Sequence, residues 1–374
     1  MNDLATGDGR HTALHLPALD GIRGLAILSV LAFHYGYSAQ SIAPAEGLAS
    51  VLFDLFDFGW LGVDLFFVLS GFLITRILLR SKRGNHYFRS FYARRALRIF
   101  PPYYALLAIA FVLLPLSGHP LLPGWPSEHQ AWIWLYAANL PIDAQWLDLG
   151  HLWTLAVEEH FYLFWPLLVF WLPEPRLRIA CVLTIPIALT FRVLALNTAL
   201  EAYSLKFTLA RFDSLAIGAL AATFSLDSLV DRRWIRRGTL PCLISSLALL
   251  AFCRLDSTAR PSVICFGSPA FAGAFAGFVF LAAARALPRG AMTLLESRGL
   301  GRIGKYSYGM YLFHLPLLRI SPRITSALGI PLSTFHGKII WMVAMSLVAY
   351  TAAWVSWNVY ERQFLRLKVL FLPG

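Results

Sequence analysis

Arg23 and His34 stand eleven residues apart in the apolar run LDGIRGLAILSVLAFHYGY. At ~100° per residue that separation is about three turns, so on a helix both side chains share one face, roughly 16 Å apart along the axis. An ionisable group inside a membrane span is costly and by default marks a functional site. A guanidinium can hold a phosphate or carboxylate through its fork of N–H donors. A neutral imidazole can act as a general base toward a hydroxyl. The first apolar run thus carries an anion-holding group and a base on one stripe.

Further polar residues interrupt later apolar runs. WLGVDLFFVLSGFLITRILL carries Asp64, Ser70 and Arg76. FYARRALRIFPPYY places Arg94, Arg95 and Arg98 just before Pro101-Pro102, where guanidinium forks suit phosphates. HLWTLAVEEHFYLFWPLL carries Glu158 and Glu159, adjacent residues that point to different faces, so only one is expected to look into a cavity. FTLARFDSLAIGAL carries Arg211 and Asp213, and YSYGMYLFHLPLL carries His314. Each has a plainer reading. A lone histidine in an apolar helix is more often structural, and basic loop residues commonly set topology. Ser70-Gly71 fits a small-residue helix contact, and Tyr306, Tyr308 and Tyr311 fit an aromatic stripe. Asp54 and Asp57 fit an interfacial stretch. There is no P-loop, HExxH or GxSxG, which leaves ATPase, zinc-protease and serine-hydrolase chemistry without a motif. Cys181, Cys242, Cys253 and Cys265 lack paired spacing and read as apolar-facing thiols, not metal ligands or disulfides.

The elements that must position these groups are membrane helices. The 374 residues are 58% hydrophobic and 14% charged, with a mean hydropathy of +0.62, far from a soluble composition. The net charge of +12 is read as cytoplasmic loop charge and not as a nucleic-acid surface. Runs of about 20 apolar residues fall near 18–38, 60–79, 100–117, 151–172, 178–197, 207–225, 239–256, 262–284, 303–321 and 338–359. The expectation is an all-α polytopic membrane protein of about ten spans in one domain, 1–374. Basic clusters follow every second run, at 80–98, 176, 232–237, 285–305 and 362–368, which puts both termini in the cytoplasm. Residues 1–16 form a polar cytoplasmic start without signal-peptide character, and 118–150 form the longest outer loop. Residues 131–141 are too short to span and rich in Trp and Tyr, as an interfacial or re-entrant segment would be. In this orientation His34, Asp64, Glu158, Arg211, Asp213 and His314 lie toward the outside. Arg23, Arg76, Arg94, Arg95 and Arg98 lie toward the cytoplasm. A cationic inner mouth and an outer base imply transfer of a group from a cytoplasmic activated carrier to an outer acceptor.

Taken in order, LDGIRGLAILSVLAFHY, GVDLFFVLSGFLITRIL, FYARRALRIFPPYY, LWTLAVEEHFYLFWP and YSYGMYLFHLPLL, closed by ERQF, resemble the motifs of the acyltransferase-3 family of membrane O-acyltransferases. The resemblance runs nearly the whole length. It implies an acyl-CoA donor, acetyl-CoA in the first place, reached from the cytoplasm. It implies a hydroxyl of a cell-envelope polysaccharide, glycolipid or other glycoside as acceptor, and the bacterial inner membrane as location. The family's essential histidine, arginine and glutamate fall on His34, Arg23 and Glu158, and its basic-loop arginines on Arg95 and Arg98. The chain ends at Gly374, as the stand-alone form lacking an extracellular hydrolase-like domain does. Gln363 stands where the family often has proline, which weakens a role for Glu361.

The resulting assignment is specific. His34, Glu158 and Arg23 carry catalysis; Arg94, Arg95, Arg98, Ser70 and Arg76 hold the acyl-CoA; Asp64, Arg211 and His314 meet the acceptor. No metal or permanent cofactor is expected. The rival reading is a transporter or flippase for a glycan or acylated intermediate. It lacks the paired Gly/Pro-broken helices of inverted-repeat carriers. A purely structural or sensing subunit is the third reading.

Overall fold

The structure is a computed structural model. It describes residues 16–42, 47–118, 130–140, 149–196, 198, 200–201, 205–255 and 260–371. Much of the expected outer loop therefore lies outside the described residues, as does the polar start apart from Leu16.

A chain this apolar has little water to satisfy its backbone, and helices satisfy N–H and C=O groups internally. The described residues contain helices and no strand. The helices are α1 (Pro17–Ile42), α2 (Leu48–Asp57), α3 (Leu61–Ser81), α4 (Tyr87–Ala108), α5 (Leu114–Leu116) and α6 (Gln130–Trp134). Then come α7 (Trp153–Trp171), α8 (Glu174–Ala195), α9 (Thr208–Ala222), α10 (Leu229–Leu255) and α11 (Arg260–Ala283). The series closes with α12 (Arg289–Leu295), α13 (Arg298–Phe313), α14 (Ser321–Leu328), α15 (Phe335–Ser356) and α16 (Arg362–Arg366).

A helix lies at each of the ten expected positions, but seven are long and apolar enough to cross a membrane by length and composition. The three that fall short are α7, α9 and α13, of 19, 15 and 16 residues. A 15-residue helix is only about 22 Å long against a hydrocarbon core of about 30 Å. α9, with Arg211 and Asp213, and α13, with the Tyr306–Tyr311 stripe, fall short by length, whereas α7 is long enough and falls short because Glu158, Glu159 and His160 lower its hydropathy.

Close packing comes from small residues. A Cβ on Gly71 of α3 would collide with the Leu215 carbonyl of α9, and one on Gly218 of α9 with the Val68 carbonyl of α3. Gly304 of α13 meets the Asp20 carbonyl of α1 in the same manner. Without lipid exclusion as a driving force, membrane helices associate through such close contacts. α3 against α9, and α1 against α13, are among the most extensive pairings. Two cores result. One surrounds Tyr35, Tyr103, Trp165 and Trp341, the other Ile22, Phe72 and Phe280.

Prolines within helices free carbonyls of the preceding turn. Pro101, Pro102 and Pro166 free the carbonyls of Leu97, Arg98 and Tyr162, and tyrosine hydroxyls bond other carbonyls of the same turns. Tyr308 donates to the Ile99 carbonyl ahead of Pro101-Pro102 at 3.0 Å, and Tyr92 to the Leu163 carbonyl ahead of Pro166 at 2.8 Å. The 131–141 segment starts as the short α6 and tucks inward: Tyr103 and Tyr104 donate to the Ile133 and Trp134 carbonyls, and Tyr136 stacks on Tyr103 at 4.0 Å. Its final residue, Pro141, lies outside the described part.

Candidate functional site

A cavity of about 850 Å³, its open mouth included, lies between α1, α3, α4, α7 and α13. Its charged wall comprises Arg23 from α1, Arg95 and Arg98 from α4, and Glu158 and Glu159 from α7. Ser70, Thr154, Tyr162, Ser307, Tyr308 and Tyr311 add hydroxyls, and Phe66, Leu69, Leu73 and Ile74 are among its apolar residues. Arg23 is held by Asp20 one turn earlier, Nη1 to Oδ1 2.9 Å, which orients the guanidinium while leaving it a quarter exposed. The Ser70 and Tyr162 hydroxyls are hydrogen-bonded to each other and face the Glu158 carboxyl. Arg95 lies 5.2 Å from the Tyr162 ring centroid and faces Arg23, Glu158 and Glu159. This is a cation–π seat that fixes a half-buried guanidinium. Arg98 also opens onto a smaller cavity of about 270 Å³ that it shares with Lys305 and Glu361.

Beside this cavity three imidazoles sit in a row, tilted or edge to face with one another. His34 Nδ1 lies 3.1 Å from His314 Nε2 and 3.1 Å from the Val30 carbonyl. His314 Nδ1 lies 2.6 Å from the Tyr311 carbonyl. His151 follows, its ring centroid 4.8 Å from that of His314, with Nε2 donating to the Leu312 carbonyl at 3.1 Å. Tyr311 divides the two regions. Its side chain lines the cavity and reaches Thr154 Oγ1 at 2.7 Å, while its carbonyl holds His314.

Arg23, Ser70, Arg95, Arg98 and Glu158 thus line one cavity, although the orientation read from loop charge sets Glu158 toward the outside and the arginines toward the cytoplasm. α1 carries both Arg23 and His34, but His34 does not line the cavity. Glu159 lines the cavity too, contrary to the expectation that only one of the pair would. Neighbouring helix positions differ by ~100°, and this cavity spans a sector that wide, reaching from Ser70 round to Tyr308. Glu158 faces the hydroxyls and arginines, whereas the polar partners of His34 are Val30 and His314.

Asp64 and Arg211 pair with each other instead of lining the cavity, Oδ1 to Nη2 2.7 Å, and Ser214 adds a hydrogen bond. Asp213 pairs with Arg192 of α8 at 2.8 Å with both side chains wholly buried. Arg76 lies over the Phe72 ring and reaches the Phe224 carbonyl, and Arg94 is half-buried; neither is a cavity residue. Cys181 and Cys242 are free thiols, and the side chains of Cys253 and Cys265 lie outside the described residues. Among the described residues no cluster suits a metal ion.

Sequence reasoning passed over Tyr162, Thr154, His151 and Arg192. Tyr162 stands one helical turn after Glu158, and that spacing was the available signal. Nothing local marks His151 or Arg192, whose partners are over 160 and about 20 residues away.

Fold and site together define a helical membrane protein with a charged, hydroxyl-lined interior cavity. The family model described as "Acyltransferase domain" matches residues 16–358, so the chain belongs to the acyltransferase-3 family. It is 29% identical over 335 residues to peptidoglycan O-acetyltransferase OatA of Listeria monocytogenes, covering 83% of this chain and 51% of the relative. It is 27% identical over 363 residues to the "Putative peptidoglycan O-acetyltransferase YrhL" of Bacillus subtilis, covering 89% and 52%. A "Putative O-acetyltransferase" of Staphylococcus aureus is 31% identical over 165 residues, covering 41% and 25%. The chain spans about half the length of the first two relatives. No solved structure matches it.

Proposed function

We propose that this protein is a membrane O-acyltransferase. It moves an acyl group, acetyl in the first instance, from acyl-CoA onto a hydroxyl of a cell-envelope glycan such as peptidoglycan. The observation that carries the reading is the convergence of Arg23, Arg95 and Arg98 with Glu158 in one cavity beside His34. The guanidiniums suit the phosphates of the donor, and the apolar wall of Phe66, Leu69 and Leu73 suits its uncharged arm. His34 takes the proton of the acceptor hydroxyl as the oxygen attacks the thioester carbonyl. The C–O bond forms, the C–S bond breaks, and the proton passes to the departing thiolate. Glu158, with Ser70 and Tyr162, orients the reacting end of the donor. The protein lies in the bacterial inner membrane with about ten spans and both termini cytoplasmic. The donor therefore enters from the cytoplasm and the acceptor from outside.

The experiment is transfer of radiolabel from acetyl-CoA to a glycan by the purified full chain in detergent. His34→Ala should lower turnover by ~10²–10⁴-fold, the usual worth of a positioned general base. A normally folded His34→Ala protein with wild-type transfer would overturn the assignment. Label that never leaves acetyl-CoA in the wild-type protein, while another activated acyl donor supports transfer, would overturn the choice of donor.

A further inference from the structure

We infer that His314 is a positioning residue which sets the proton on His34, an inference that rests on His34 being the base. A carbonyl oxygen only accepts hydrogen bonds. The Tyr311 carbonyl at 2.6 Å from His314 Nδ1 therefore requires the proton on that nitrogen. A neutral His314 then presents Nε2 as an acceptor. His34 Nδ1 faces two acceptors, this Nε2 and the Val30 carbonyl, each at 3.1 Å. Its proton is shared between them, and the lone pair of His34 stands on Nε2. The other neutral tautomer would set the Nδ1 lone pair against both acceptors at once.

The consequence is chemical. When His34 Nε2 takes the proton of a hydroxyl, the resulting cation still donates from Nδ1 to His314 and to Val30, through bonds that charge strengthens. In many sites a carboxylate holds the tautomer of a catalytic imidazole. Here a neutral imidazole does so, and among the described residues no carboxylate is hydrogen-bonded to either ring. His314 is wholly buried, whereas His34 is only partly buried, so His314 acts through His34 and not on substrate. Tyr311 ties the device to the cavity, since its side chain lines the wall while its carbonyl fixes His314.

The test uses the purified full chain with acetyl-CoA and a soluble glycan acceptor. It compares His314→Gln, whose amide oxygen can reach the place of Nε2, with His314→Asn, whose shorter amide satisfies only Tyr311. The Asn variant should lose about 10²-fold in kcat with KM for both substrates unchanged, as loss of correct base orientation predicts. The Gln variant should stay within about tenfold of wild type on the same scale. In a His34→Ala background, His314→Asn should cause no further loss, because the two groups act as a unit. Wild-type kcat in His314→Asn, equal losses in Asn and Gln, or independent losses in the double variant would each overturn the inference. Activity abolished by His34→Ala but kept in His314→Asn overturns it alone. Activity kept in His34→Ala overturns the base reading and this inference with it.

Discussion

Removing Asp64 isolates a charge inside the bundle. The Asp64 and Arg211 side chains are 1% and 4% exposed and meet at 2.7 Å. The guanidinium also lies near the Phe67 and Trp153 rings, and its Nε has no partner. Asp64→Ala leaves this cation without its counter-ion and costs Ser214 an acceptor. Breaking one side of a buried ion pair costs ~3–5 kcal/mol. At 1.36 kcal/mol per tenfold, that is roughly two to four orders of magnitude in the folded-to-unfolded ratio. Removing both charges with residues of similar size, Asp64→Leu with Arg211→Met, avoids the stranded charge and is often neutral. The Asp213–Arg192 pair remains balanced at 2.8 Å, so the double variant leaves no net charge there. The assay is thermal unfolding of detergent-purified protein together with acyl transfer. Asp64→Ala and Arg211→Met should unfold well below wild type, and the double variant should recover most of the loss and retain transfer. An Asp64→Ala protein as stable as wild type would refute the energetic argument. A stable double variant without transfer would assign the pair to acceptor binding and refute the structural reading.

Gly71→Ala should push α3 and α9 apart at the Leu215 carbonyl and cost ~1–3 kcal/mol by overpacking, read as a lower unfolding temperature. Gly238→Ala, where an added Cβ meets nothing within 4 Å in the middle of α10, should be neutral or stabilising and serves as the control. Arg95→Ala should raise KM for the acyl donor by ~10–100-fold, the worth of one charge-assisted hydrogen bond. Arg95→Lys should recover little of it, because an ammonium replaces the fork that lies over Tyr162.

The helical class and a helix at each of the ten apolar runs were readable, because apolar length and membrane thickness leave few alternatives, whereas short helices such as α2, α12 and α14 were not. Helix periodicity placed Arg23 and His34 on α1, and the cavity contains Arg23, Ser70, Arg95, Arg98 and Glu158. What sequence could not supply was contact across helices. Asp64 and Arg211 each looked like lone polar groups, and only the packing of α3 on α9 makes them partners 147 residues apart. His34 and His314 are 280 residues apart, so no periodicity could join them. Glu159 was set aside on an angular argument that holds for a narrow groove and not for a cavity walled by five helices.

The helices that fail as independent spans are informative for the same reason. α7, α9 and α13 carry the carboxyls, the buried pairs and the tyrosines, and most of α9 is buried. Lipid would not tolerate those groups, but neighbouring protein does, provided each charge finds a partner. Arg211 finds Asp64, Arg192 finds Asp213, and Arg95 and Glu158 face each other across the cavity. The longer apolar helices therefore act as the solvent for the polar ones. Close Gly contacts allow that enclosure, since any added side chain at Gly71 or Gly218 would hold α3 and α9 apart and leave the Asp64–Arg211 pair stretched. Stability and site geometry rest on the same few ångströms of helix approach. A change at the α3–α9 contact should therefore act on transfer through Ser70 as much as on folding.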